Sequence, residues 1–128
     1  MARRTTRSML ARSARLASSK SGVKHWLAER VSAVALVPLT LWFVASIIAH
    51  SSSDHDAFLA WLSAPVPALL MILLLIALFH HTALGLQIVL EDYVHSGAKL
   101  ALVFLLRLSC LALTTAGVAA VLRIVFHG

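Results

Sequence analysis

Two adjacent histidines, His80 and His81, stand inside an otherwise apolar run, and Asp92 and Tyr93 follow near the end of that run. An imidazole surrounded by hydrocarbon must be neutral, hydrogen-bonded or bound to a metal, and histidine is the commonest metal ligand. On a helix of 3.6 residues per turn, His81 and Gly85 share one face, and Asp92 returns to within about 20° of the His81 direction. Gly85 leaves backbone bare, so a flat ligand such as a porphyrin can approach closely. His80 points about 100° away. Its simplest role is a hydrogen bond to a neighbouring helix, and the same structural role competes with ligation for His81.

Depth limits what this chain can do with an iron. His50, His55 and His127 belong to one side of the apolar region, His25 and His95 to the other, and the last apolar run has no histidine within it. His81 lies roughly ten residues, about 15 Å, from the inner end of its helix. No other histidine shares that depth on an opposing face, so a bis-histidine haem needs its second ligand from another protein. A second polar group gathers His25, Trp26, Glu29 and Arg30 before the first apolar run with Asp92, Tyr93 and His95 after the second. These are expected at one membrane level. A phenol can hydrogen-bond a quinone carbonyl, and a guanidinium can hold carboxylates such as haem propionates in a two-pronged fashion. The plainer alternatives are interfacial snorkelling of Arg30 or a pair with Glu29 or Asp92, and, for Asp92-Tyr93, a helix end with an aromatic belt residue. Arg107, inside the third run, is expected to snorkel or to meet a partner's acid.

The elements that must position these residues follow from composition. The chain has 128 residues, 60% apolar and 12% charged. A chain this short cannot bury so much apolar surface by itself, so its solvent is lipid. The reading is an all-α membrane protein with three transmembrane helices at about 31–49, 65–90 and 100–125, each close to the length that crosses the hydrocarbon core. Period-two alternation is absent, which leaves helices as the spanning structure. Ser63 is expected to cap the second helix, with Pro65 and Pro67 in its first turn, and Pro38 to bend the first. Trp26, Trp42 and Trp61 are expected at interfaces, with packing against a partner as the alternative for Trp42. The single cysteine, Cys110, allows neither a disulfide nor a thiolate cluster within the chain.

Charge gives the expected orientation. Seven cations precede Trp26 and the first acid is Glu29, whereas the segment from His50 to Ser63 has no cation. Cytoplasmic flanks carry the excess of Lys and Arg. The N-terminus is therefore expected in the cytoplasm and the C-terminus outside. Residues 1–23 form a basic cytoplasmic arm, with a transit peptide as the alternative reading, and residues 24–128 the transmembrane domain. Nucleic acid binding is a poor account of a basic arm on a lipid-soluble body.

The elements His81-x-x-x-Gly85 and Glu91-Asp92-Tyr93-Val94, with Trp26-x-x-x-Arg30 entering the first helix, resemble the small membrane anchor subunits of succinate dehydrogenase, respiratory complex II. The resemblance covers about residues 24–125 and leaves the basic arm out. It implies one part of a heteromeric helix bundle that is not an enzyme on its own, partnered by a larger cytochrome b anchor subunit, an iron–sulfur subunit and a flavoprotein subunit, in a bacterial inner membrane or a mitochondrial one. By the same resemblance, His81 is an axial ligand of haem b, Arg30 and His25 lie near the haem propionates, and Tyr93 with Asp92 meets ubiquinone. The chain has no Gly-rich nucleotide loop and no cysteine cluster, so flavin and iron–sulfur centres would lie on other subunits. A fumarate reductase anchor, a structural or assembly protein without haem, and a small proton-conducting protein using His80 and His81 are the alternatives.

Overall fold

The computed structural model describes residues 2–128, with side chains from Thr6 onward; the side chains of Arg3 and Arg4 lie outside the described residues. It contains four helices: α1 (Ala2–Ala49), α2 (His55–Ser63), α3 (Pro65–Tyr93) and α4 (Ala98–His127). There is no strand among the described residues. α1, α3 and α4 are long and apolar enough to cross a membrane. Helices are the natural answer to this sequence because each closes its backbone hydrogen bonds internally, as hydrocarbon requires.

Each span is longer than the apolar run that marks it. α1 continues through Pro38, and its basic first half is helical and continuous with the span. Four serines of that half bond locally: Ser13, Ser18, Ser19 and Ser21 each donate to the carbonyl three residues back. The segment before α3 is not a plain loop. Asp54 accepts a hydrogen bond from Ala57 N at 2.8 Å and so caps α2. Ser63 is the last residue of α2 and donates to Ala60 O. The N-cap of α3 is instead Ala64, without a side-chain bond. Pro65 at the first helical position has no N–H to satisfy, which lowers the need for a polar cap.

α3 is the central element. It packs against both α1 and α4, while no Cα of α1 comes within 8 Å of one of α4 among the described residues. Leu74 and Leu84 of α3 and Cys110 and Val121 of α4 are buried. Gly117 lets α4 approach closely, since a Cβ there would sit 3.0 Å from Leu75 Cδ1. Such small-residue contacts are the usual means by which helices associate in lipid. α2 lies across the end of the bundle near Pro65 and packs on α3 and α4. At that end Trp42 stacks on Trp61 with centroids 6.1 Å apart, and Trp61 meets the His50 ring at 4.3 Å. Trp42 thus finds its packing partner within the chain. Only 6–11% of the most apolar window of each span is buried within the chain, so the chain by itself leaves most of that apolar surface uncovered.

Candidate functional site

The α1–α3 seam carries the polar contacts that matter. Ser32, buried on α1, has its Oγ 3.0 Å from His81 Nδ1 on α3. The same Oγ donates to Glu29 O at 2.9 Å. No hydrogen-bond partner is present for His81 Nε2 among the described residues. His81 is therefore bonded to a neighbouring helix through one ring nitrogen and leaves the other unengaged. One turn along, Gly85 faces open space, where an added Cβ would meet no atom within 4 Å. His25 lies seven residues before Ser32, two turns away on the same face of α1. Its Nε2 is buried and has no hydrogen-bond partner.

This contact also fixes the register of the two antiparallel helices, and it changes one expectation. Arg30 lies two residues from Ser32 along α1, a rise of about 3 Å. Tyr93 lies twelve residues from His81 along α3, a rise of about 18 Å. Arg30 and Tyr93 are thus separated by about 15 Å along the bundle instead of sharing a level. Arg30 is also turned about 160° around α1 from Ser32, and its guanidinium rests 5.6 Å from the centre of the Trp26 ring. It pairs with neither Glu29 nor Asp92; the ion pair among the described residues is His55–Asp56, on the surface. Asp92 and Tyr93 are exposed, Tyr93 to 82%.

His80 belongs to the other side of α3. It is exposed and borders a cavity of about 420 Å³ between α3 and α4 that also touches Gln87, Arg107 and Thr114. Among the described residues it makes no hydrogen bond to another helix, contrary to the expectation from sequence, because its direction around α3 takes it away from Ser32. In the same region Gln87 Oε1 accepts from Arg107 Nε at 3.1 Å and Nη2 at 2.7 Å. Gln87 Nε2 then donates to Glu91 Oε1 at 2.7 Å. Arg107 thus meets a neutral acceptor inside this chain.

Sequence reasoning missed Ser32 and Gln87. Both had a signal. Ser32 sits a heptad from His25 within an apolar run, and Gln87 precedes Glu91 by one turn. Among the described residues no three His, Cys, Asp or Glu side chains converge as a self-contained metal site. An iron held in a porphyrin does not require one, since a chain contributes only an axial ligand.

A family model described as "Succinate dehydrogenase/Fumarate reductase transmembrane subunit" matches residues 3–122. The chain is similar to proteins named succinate dehydrogenase hydrophobic membrane anchor subunit from three bacteria. The one from Rickettsia bellii is 35% identical over 77 residues, which is 60% of this chain and 62% of that protein. The one from Rickettsia conorii is 27% identical over 105 residues, covering 80% and 83% of the two chains. The one from Paracoccus denitrificans is 34% identical over 90 residues, 70% of each. No solved structure gives a significant match.

Proposed function

The chain belongs to the family of succinate dehydrogenase/fumarate reductase transmembrane subunits, and from that premise we propose that it is the hydrophobic membrane anchor of a succinate dehydrogenase. The names of its relatives support succinate oxidation over fumarate reduction. In this role the chain does not oxidise succinate. It holds the flavoprotein and iron–sulfur subunits to the membrane and, with a larger cytochrome b subunit, builds the place where quinone is reduced. The large unburied faces of α1, α3 and α4 support a heteromeric bundle. The charge asymmetry supports a cytoplasmic N-terminus, and the bacterial relatives support the inner membrane of a bacterium.

The family implies haem b, and the residues present fit it. The observation that carries this is the state of His81: Nδ1 engaged by Ser32, Nε2 unengaged, and open space one turn away at Gly85. Haem, when bound, supplies a one-electron carrier within the membrane. His81 would hold its iron, together with a histidine supplied by the cytochrome b subunit. The buried, unpartnered Nε2 of His25 lacks an acceptor that a propionate carboxylate would supply. Arg30 fits less directly, since its side chain would have to leave Trp26 and swing round α1. Tyr93, exposed at the end of α3, would donate a hydrogen bond to the ubiquinone carbonyl, with Asp92 beside it at the aqueous boundary as a route for protons.

Purification through a tag on this chain tests the reading. A red-brown complex containing covalent or tightly bound flavin, iron–sulfur centres and haem b, active with succinate and quinone, is the expected product. A colourless chain that purifies alone would contradict it and favour a structural or proton-conducting protein.

A further inference from the structure

We propose that Ser32 is a positioning residue that fixes the tautomer of His81, so that Nε2 presents its lone pair for ligation. The proposal rests on the reading of His81 as the haem ligand and adds what prepares it.

Two contacts and one hydroxyl proton decide the assignment. Ser32 Oγ lies 2.9 Å from Glu29 O and 3.0 Å from His81 Nδ1. A neutral imidazole has one N–H donor and one acceptor nitrogen. If the serine proton points to Glu29 O, the serine oxygen accepts from Nδ1–H, and both contacts are hydrogen bonds. If it points to Nδ1, two oxygen lone-pair regions face each other at 2.9 Å with no proton between them. The first arrangement satisfies both contacts of the Ser32 hydroxyl. It places the proton of His81 on Nδ1 and leaves Nε2 as an acceptor. Ser32 is only 6% exposed, so water does not compete for its oxygen. A hydrogen bond at the remote ring nitrogen holds the ring orientation and raises the basicity of the ligating one. Among the described residues the neighbouring His80 has no such partner, which gives the adjacent histidines different chemistry although only one position separates them.

The test uses the assembled complex carrying Ser32→Thr, Ser32→Val, Ser32→Ala or, as control, His81→Ala. Haem per complex, resistance of haem to extraction, the electron paramagnetic resonance g-values of the oxidised haem and its midpoint potential are measured. Ser32→Thr keeps the hydroxyl and is expected to match the wild type. Ser32→Val and Ser32→Ala are expected to weaken haem retention by about 10-fold or more, to shift the g-values, and to raise the midpoint potential of the haem that remains, because a less basic imidazole stabilises ferric iron less. Thr and Val have nearly the same shape, so equal losses in both would be steric and would overturn the proposal. Wild-type haem properties in Val and Ala, with haem lost in His81→Ala, would overturn the role of Ser32 and leave the ligand assignment standing. Unchanged haem in His81→Ala would remove both.

Discussion

Arg107 on α4 gives two hydrogen bonds to a single oxygen of Gln87 on α3, and Gln87 gives its own amide proton to Glu91. The guanidinium inside the third span is thereby tied to the side chain that closes the second. A hydrogen bond involving a charged group contributes about 1.5–3 kcal/mol, and removing one partner costs more than removing both. Gln87→Leu is therefore expected to lower the thermal stability of the purified complex. Gln87→Leu combined with Arg107→Leu should recover most of the loss. A double variant as unstable as Gln87→Leu would show that Arg107 is not held by this contact.

Gly85 offers a second test, because the space above it is open within the chain. Leucine is a far better helix former than glycine, by about 0.5–1 kcal/mol. Gly85→Leu is thus compatible with α3 itself. If a porphyrin packs there, the isobutyl group takes its place, and haem per complex should fall sharply. Full haem content would mean that lipid or protein, not haem, covers Gly85.

Much of this architecture was legible in the sequence. The three apolar runs announced three spans because only helices satisfy the backbone in lipid, and His81 stood out because a titratable side chain there is costly without a partner. What was not legible depends on how helices meet. Ser32 could be paired with His81 only once α1 and α3 were set in register. The same register separated Arg30 from Tyr93, which loop positions alone had placed at one level. The helix α2 was hidden by its shortness and by the polar residues around it, although Asp54 followed by a run of helix formers is an N-cap signal.

Orientation is open to a direct assay. The cations before Trp26 and their absence from His50 to Ser63 lead to an N-terminus inside. A reporter active only outside the cytoplasm, fused after Gly128, should be active, and the same reporter inserted at Gly97 should be silent. The reverse pattern would invert the topology.

A Tyr93 variant would tell a quinone role from a haem role. It is exposed at the end of α3, about 18 Å along the helix from His81. Tyr93→Phe removes the hydroxyl and keeps the ring. The loss of one hydrogen bond, about 0.5–1.5 kcal/mol, predicts a 2- to 10-fold fall in succinate-dependent quinone reduction, and more if charge develops on the quinone oxygen. Electron transfer from succinate to a soluble dye and the haem spectrum should be unchanged. An unaltered ratio of the two activities would take Tyr93 out of the quinone site.

The central claim is that His81, and not its neighbour, holds haem in a complex that this chain anchors. His81 faces Ser32 across the α1–α3 seam, and His80 faces the cavity beside Arg107. The reduced-minus-oxidised optical spectrum of membranes carrying His81→Ala or His80→Ala tests this most directly. The account predicts loss or a marked shift of the haem b band in His81→Ala and a near-normal band in His80→Ala. A normal band in His81→Ala, or loss confined to His80→Ala, would contradict it.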